Sequence, residues 1–154
     1  SFQEALDREI ARANRRSSLF ALILIDLDDF KKINDTYGHL VGDAVLKDLV
    51  ARVAENIRTV DVFARYGGEE FALILPETDR TGAEVLAQRI RNAIAGKPFE
   101  YAGTMIFYTI SMGITVYHAE KPVKKDLLID QADTALYAAK RGGKNRFFTS
   151  AAVV

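Results

Sequence analysis

Two acidic residues, separated by one residue, stand at the end of a long apolar run. Residues 19–27 are nearly continuous in apolar side chains, and Asp26 and Asp28 lie where the run ends. Carboxylate oxygens are the ligands that hard divalent cations prefer, and functional groups often lie at the ends of buried strands. One hypothesis is therefore a metal site, with Asp26 the better candidate because it is nearer the core. The alternative is that one or both carboxylates solvate the strand end or cap the next turn.

A second pair of acids follows two glycines. Gly67 and Gly68 predict a turn, and Glu69 and Glu70 come directly before a Phe-Ala-Leu-Ile-Leu strand. Adjacent like charges destabilise this position unless a cation or a solvent-facing geometry relieves them. Because neighbouring side chains of a strand face opposite sides, we expect at most one glutamate to reach the site of Asp26. The strand period alone does not decide which of the two it is.

The elements that must position these carboxylates follow from the apolar periodicity. Helices are predicted over residues 2–16, 43–56, 81–95 and 126–140, a short helix and turn over 28–37, and strands over 19–27, 62–66, 70–75, 106–117 and 146–148. The run over 19–27 suggests a strand buried on both faces. The order of elements predicts an α+β fold, in which helices cover a mixed central sheet that contains a central β-hairpin.

Composition narrows the class of partner. The 154 residues carry 21 basic and 21 acidic side chains, so no overall field attracts nucleic acid or an anionic membrane. A polyphosphate ligand would have to be held by local positive groups. The absence of cysteine leaves carboxylates as the expected metal ligands, and the apolar runs are too short to span a membrane. The chain opens inside a predicted helix, so we expect a piece of a longer protein, in the cytoplasm and with no membrane contact of its own.

Several spaced blocks resemble the GGDEF family of diguanylate cyclases, in its GGEEF form. The blocks are residues 26–43, 65–71, 111–113 and 132–146, and together they extend over nearly the whole chain. The resemblance implies one catalytic domain over residues 1–154, truncated at its N-terminus before the first helix, with a palm or adenylyl-cyclase-like sheet. It also implies the condensation of two GTP molecules into cyclic di-GMP, with release of two pyrophosphates.

The resemblance assigns catalytic roles to three residues: Asp26, Lys31 and Glu69. Asp26, Glu69 and the backbone carbonyl of Leu27 would bind two Mg²⁺ or Mn²⁺ ions per active site. Glu69 is also the family's proposed proton acceptor, although metal binding is its firmer role because a metal-bound carboxylate is a weak base. Lys31 would bind phosphates, and Glu70 would support the turn or bind on the guanine side.

The same resemblance gives the nucleotide contacts. Substrate-binding residues would be Phe30, Lys31, Asn34, His39, Asp43, Gly67, Gly68, Glu70, Lys140 and Lys144. Asn34 and Asp43 would bind guanine, although Asn34 could instead cap a turn and Asp43 the next helix. Lys140 and Lys144 would bind the triphosphate, with Lys144 standing where the family usually has arginine. For Lys31 alone a solvated surface charge, and for His39 a structural role, are the simpler interpretations.

A regulatory site is also implied by the resemblance. Arg58 and Asp61 form an Arg-x-x-Asp pattern upstream of the glycines, the family's site for inhibition by cyclic di-GMP, with Arg89 as a third contributor. Taken alone, such a pattern is often only a surface ion pair. Turnover would require a second GGDEF domain, in a homodimer.

Two other functions remain open from the sequence. One is a catalytically silent module that binds GTP or cyclic di-GMP, but the intact Gly-Gly-Glu-Glu-Phe block argues against it. The other is a different palm-type nucleotidyl transferase or an adenylyl-cyclase-like enzyme. Asp43 favours guanine over adenine, because adenine lacks the paired N1–H and N2 donors.

Overall fold

A strand buried on both faces forms the centre of the molecule. In the computed structural model, which describes residues 1–151, β1 (Leu19–Leu27) pairs antiparallel with β3 (Glu70–Pro76) on one side and with β6 (Ile110–His118) on the other. Eight of its nine residues are buried. This confirms the expectation drawn from the apolar run.

Two further strands complete the main sheet. β2 (Val62–Arg65) pairs antiparallel with β3 and forms the predicted hairpin, and β7 (Phe147–Thr149) pairs parallel with β6 at the opposite edge. The strand order is β2-β3-β1-β6-β7. The sheet is therefore mixed, as predicted.

Helices cover both faces, and the side-chain alternation of β1 determines which core each residue enters. Phe20, Leu22 and Leu24 pack against α1 (Phe2–Arg16) and α5 (Lys125–Arg141). Ile23 and Ile25 face the other core, which is formed with α2 (Phe30–Tyr37), α3 (His39–Ala54) and α4 (Arg80–Ala95). Because strand side chains alternate, one sequence run supplies both cores.

The structure corrects three sequence expectations. The helix α3 begins at His39 rather than at residue 43, because Gly38, at φ 93°, lets the chain turn directly from α2 into it. The strands β4 (Phe99–Tyr101) and β5 (Thr104–Ile106) form a separate hairpin that was not predicted. The strand β6 consequently begins at Ile110, and not at residue 106, which belongs to β5. Over residues 1–151, no helix is both long and apolar enough to cross a membrane.

Substitution of Gly113 tests the packing of α5 on the sheet. A Cβ atom at Gly113 would lie 2.1 Å from the carbonyl oxygen of Ala132 and 2.3 Å from the amide nitrogen of Leu136, so α5 would have to move. We expect Gly113→Ala to lower the free energy of unfolding by about 3 kcal/mol, measured by urea denaturation. The matched control is Gly68→Ala, where a Cβ meets no atom within 4 Å. Equal stability of the two variants would contradict the tight packing.

Candidate functional site

Asp26 lies at the end of β1 with one carboxylate oxygen unpaired. It stands opposite Glu70 of β3 and Ser111 of β6, and it is 4% exposed. The ammonium of Lys140, from the last turn of α5, donates a hydrogen bond to Asp26 Oδ2. Asp26 Oδ1 is buried and has no hydrogen-bond partner among the described residues. An unpaired buried carboxylate oxygen is destabilising, so this atom fits a site that a cation completes.

Asp28 has a different environment. Its carboxylate accepts hydrogen bonds from Thr109 Oγ1 at 2.7 Å, from Ser111 Oγ at 2.6 Å and from the backbone N–H of Asn145 at 2.9 Å. These donors come from the start of β6 and from the segment after α5. The structure therefore gives Asp28 the role of a cross-link between elements, and of the two aspartates only Asp26 retains a free buried acceptor.

The glycine turn between β2 and β3 is closed by backbone and arginine hydrogen bonds. The carbonyl of Glu70 accepts from the N–H groups of Tyr66, at 2.8 Å, and Gly67, at 3.1 Å. The guanidinium of Arg65 donates to the carbonyls of both Gly67 and Gly68. A Cβ atom on Gly68 would meet no atom within 4 Å, so this side of the turn is open to a ligand. Arg65 belongs to the block of residues 65–71, but its spacing does not predict that its side chain closes the turn.

The two glutamates differ in their relation to the sheet. Glu70 is the first residue of β3, and its Oε2 lies 3.1 Å from the position that a Cβ on Gly67 would occupy. Its carboxylate therefore folds over the turn. Glu69 precedes the strand, and its carbonyl accepts from the N–H of Leu27 at 3.3 Å. This bond ties the backbone of Glu69 to the end of β1, next to Asp26.

The available ligands suit a cation that is shared with a nucleotide. Among residues 1–151 there is no group of three or more His, Cys, Asp or Glu side chains that could hold a metal ion. Asp26, Glu69 and the Leu27 carbonyl offer fewer oxygens than an all-protein cage requires. Mg²⁺ is usually held by one or two carboxylates together with substrate phosphates and water, so these residues fit such an ion.

Positive groups gather at the same end of the sheet. Lys144 Nζ donates to Asp29 Oδ1 at 2.6 Å, and this hydrogen bond raises the pKa of Lys144. Asp29 is the N-cap residue of α2, and Lys31 is exposed in the first turn of that helix. Lys140 lies beside Asp26, so the side chains of Lys140 and Lys144 contact the end of β1 and the turn that follows it, and Lys31 stands on the helix that begins there. The structure thus brings together the predicted phosphate contacts and the predicted metal ligand.

A second unpaired acceptor lies between α2 and α3. Asn34 Oδ1 is buried without a hydrogen-bond partner among the described residues. It occupies the space beside Gly42, where a Cβ would lie 1.8 Å from it and 3.3 Å from the ring of Phe30. Gly42 therefore leaves the room that the Asn34 amide needs. As at Asp26, the free acceptor fits a ligand that brings its own donors.

Asp43 and His39 occupy exposed positions on α3. Because α3 begins at His39 with Gly38 as its N-cap residue, Asp43 lies in the second turn, and its interpretation as a helix cap is wrong. Asp43 instead lines a cavity of about 550 Å³ whose other walls include Leu46 and Phe71. His39 is exposed at the start of the helix.

The predicted inhibitory residues cluster around the segment before β2. Arg58 Nη2 lies 2.8 Å from Asp61 Oδ1, and the Arg58 side chain is 55% exposed whereas that of Asp61 is 1% exposed. The hydrogen bonds that the Arg58 guanidinium donates to Asp61 raise the pKa of Arg58. Arg89, on α4, donates to the carbonyl of Asn56 at 2.7 Å. The Arg58–Asp61 ion pair is therefore present, and it leaves only the arginine accessible.

Comparisons with known proteins agree on one family. The family model described as "Diguanylate cyclase, GGDEF domain" matches residues 1–146. The diguanylate cyclase DgcP of Pseudomonas aeruginosa is 40% identical over 146 residues, which cover 95% of this chain and 22% of DgcP. The response regulator PleD of Caulobacter vibrioides is 42% identical over 149 residues, which cover 96% of this chain and 33% of PleD. The chain spans a third or less of the length of these relatives.

A solved structure gives the same result for the fold. The GGDEF domain of DgcB from Caulobacter crescentus, in complex with c-di-GMP, matches with a TM-score of 0.90 at 31% identity. The match covers 97% of this chain and 88% of that chain. The predicted α+β fold with a mixed sheet is confirmed.

Removal of the Asp28 carboxylate tests its role as a cross-link. Asp28→Ala leaves the buried Ser111 hydroxyl and the Asn145 N–H without their acceptor, so we expect the free energy of unfolding to fall by about 3 kcal/mol. Urea denaturation measures the change. Asp35→Ala, at an exposed position of α2, is the control and should change stability by less than about 0.5 kcal/mol. A stable Asp28→Ala variant would show that the three hydrogen bonds do not hold these elements.

Proposed function

Because this chain belongs to the GGDEF family, we propose that it is a diguanylate cyclase domain, which joins two GTP molecules into cyclic di-GMP and releases two pyrophosphates. The observation that carries the proposal is the buried, unpaired Asp26 Oδ1, which lies beside Lys140 at the end of β1. A buried acceptor that lacks a donor suits a cation, and the adjacent lysines suit a triphosphate. The matches cover a third or less of DgcP and PleD, so the proposal concerns this domain and not the signals that control the whole protein.

Three groups would hold the divalent metal. Asp26, Glu69 and the carbonyl of Leu27 are the proposed ligands for Mg²⁺ or Mn²⁺, two ions per active site. The bound metal supplies charge neutralisation at the phosphates and lowers the pKa of the attacking 3′-hydroxyl. The hydrogen bond from Leu27 N–H to the Glu69 carbonyl supports this set, because it holds the backbone of Glu69 against the strand end that carries Asp26.

Three lysines would bind the triphosphate. Lys31, Lys140 and Lys144 provide the positive charge that the neutral chain lacks overall. Lys140 pairs with Asp26 and Lys144 with Asp29. On binding, we expect each ammonium to exchange part of this contact for phosphate oxygens. Lys144 is a point charge without the bidentate geometry of arginine, so its placement by the surrounding chain matters.

Guanine selectivity would come from two acceptors. Asn34 Oδ1 is free and buried, and Asp43 is exposed at the cavity between α3 and the β2–β3 hairpin. Guanine presents N1–H and N2–H donors, which such acceptors can satisfy. Adenine lacks this pair, and an acceptor left without a donor costs affinity for ATP. His39, Phe30 and the two glycines would line the same site.

Ring closure would require two domains. Each domain binds one GTP, and each 3′-hydroxyl attacks the α-phosphate of the other nucleotide. The proposed active form is therefore a homodimer, with the two sites facing each other. We place the reaction in the cytoplasm, because GTP is a cytoplasmic nucleotide.

Product would inhibit through a separate site at Arg58, Asp61 and Arg89. The exposed guanidinium of Arg58 supports this role, because it keeps donors available for phosphate or guanine. Asp61 is almost fully buried and accepts the Arg58 backbone N–H at 2.7 Å. We therefore propose that Asp61 mainly orients Arg58. The c-di-GMP complex of the DgcB domain shows that a relative with this fold binds the nucleotide.

The first test is product formation from GTP by the two glutamate variants. With Mg²⁺ and GTP, the unmodified chain should produce cyclic di-GMP and pyrophosphate, with a rate that rises more steeply than linearly with protein concentration. Glu69→Gln should lower the rate by about a thousandfold because it removes a metal ligand. Glu70→Gln should lower it by less than about tenfold. Chromatography of the nucleotides measures each rate.

The matched glutamate variants separate the possible outcomes. If Glu70→Gln causes the larger loss, the metal role belongs to Glu70, which shares the sheet face of Asp26 by register. If the unmodified chain yields no product at any concentration, the proposed activity is wrong. Retained binding of cyclic di-GMP in that case would favour the silent binding module.

The inhibitory site is tested by Arg58→Ala. We expect the concentration of added cyclic di-GMP that halves the rate to rise by about thirtyfold, because charge-assisted hydrogen bonds are lost. The rate without added product should stay unchanged. Arg80→Ala is the control, since Arg80 is similarly exposed and also forms an ion pair, with Glu84. If cyclic di-GMP inhibits Arg58→Ala as strongly as it inhibits the unmodified chain, Arg58 is not part of the product site.

A further inference from the structure

Three consecutive residues after α5 have positive φ, and two of them are not glycine. Gly143, Lys144 and Asn145 have φ values of 123°, 63° and 49°. Positive φ is unfavourable for residues other than glycine, and asparagine tolerates it better than lysine does. Such backbone persists only where the surroundings hold it in place. Lys144 is the middle residue of this segment of positive φ.

Two charged side chains hold Asn145 from opposite sides. Asp28, beyond the end of β1, accepts the Asn145 backbone N–H at 2.9 Å. Arg91, on α4, donates from Nε to the Asn145 carbonyl at 2.6 Å. The two contacts fix both backbone polar groups of one residue, and they come from elements far apart in sequence. Neither contact involves the nucleotide-binding side chains directly.

This arrangement also determines where Lys144 lies. Its backbone N–H donates to the carbonyl of Ala139 at 3.0 Å, and its Nζ reaches Asp29 at the start of α2. The next residue, Asn145, is the one held by Asp28 and Arg91. Without that hold the left-handed backbone at Lys144 would relax, and the ammonium would lose its position at the end of the sheet.

We propose that Arg91 is a positioning residue, which works opposite Asp28 to hold Asn145 and so presents Lys144 to the β- and γ-phosphates of a nucleoside triphosphate. The inference rests on the proposed function in one respect, the contact between Lys144 and the triphosphate. Arg91 would thus contribute to triphosphate affinity from α4, which is outside the end of β1 and the glycine turn.

The test compares binding of two guanine nucleotides by calorimetry in Mg²⁺. The first probe is GTP with an α,β-methylene bridge, which cannot release pyrophosphate, and the second is GMP, which lacks the β- and γ-phosphates. We expect Arg91→Met to lower the affinity for the triphosphate analogue by about tenfold and to change the affinity for GMP by less than about twofold. Arg91→Lys, which retains a positively charged donor group, should recover part of the loss. If the affinities for both nucleotides fall equally, Arg91 has only a general structural role and the inference fails.

A double-mutant cycle with Lys144→Met tests whether Arg91 acts through Lys144. In the Lys144→Met background, Arg91→Met should change the affinity for the analogue by less than about twofold, because the group that it positions is gone. Equal losses in both backgrounds would overturn the inference. Arg141→Met removes the same charge from an exposed site at the end of α5, where the guanidinium contacts Tyr137, and should have little effect. Thermal unfolding checks that each variant is folded, and Arg91→Lys serves in place of Arg91→Met if the latter is not.

The outcomes separate this inference from the proposed function. If the unmodified chain binds the analogue but produces no cyclic di-GMP, the activity is wrong while the positioning role is still decided by the binding data. If the chain is active and Arg91→Met binds normally, only the positioning role is wrong. If the unmodified chain does not bind the analogue, both are wrong.

Discussion

The burial of β1 on both faces is the constraint on which the rest of the structure depends. Its alternate side chains enter two separate cores, one with α1 and α5 and the other with α2, α3 and α4. Neither core has room for an unpaired charge, because burial of a charge without a partner is strongly unfavourable. The strand therefore has carboxylates only at its end, at Asp26, with Asp28 directly beyond it. The position of the site is therefore a consequence of how the sheet is covered.

At the end of β1, Asp28 contributes to stability because its carboxylate is satisfied, whereas the proposed ligand site uses acceptors that lack a donor. Asp28 has its carboxylate satisfied by three donors and joins β1 to β6 and to the segment after α5. Asp26 and Asn34 each keep a buried acceptor with no hydrogen-bond partner within residues 1–151, and a buried acceptor without a donor is destabilising. A ligand that supplies the missing cation or donors would bind the folded state but not the unfolded state, and it would therefore stabilise the fold. In the proposed function, the acceptors of Asp26 and Asn34 would contribute to ligand affinity in this way.

The sequence predicts the main sheet and the order of its helices well, because those elements have strong apolar periods. It does not predict the start of α3, since the turn at Gly38 takes a single residue and leaves no polar linker. The β4–β5 hairpin has strands of only three residues, too short for a period to appear. At the site, the sequence favours Asp26 over Asp28 as the metal ligand because Asp26 is nearer the core. It does not predict the hydrogen bonds that satisfy Asp28, because Thr109 and Asn145 bring those donors from distant parts of the chain. Arg91 was missed for the same reason.

The helix α4 connects the two proposed nucleotide sites. Arg89 reaches Asn56, next to the Arg58 site, while Arg91 reaches Asn145 at the phosphate site. Residues two positions apart on a helix point in different directions, so one short stretch serves both. The C-terminal end of α4 is itself held by Arg52 of α3, which donates to the carbonyls of Ala93, Ile94 and Lys97. Both arginines are therefore placed by one packed element, and a displacement of α4 would alter the geometry of both sites together.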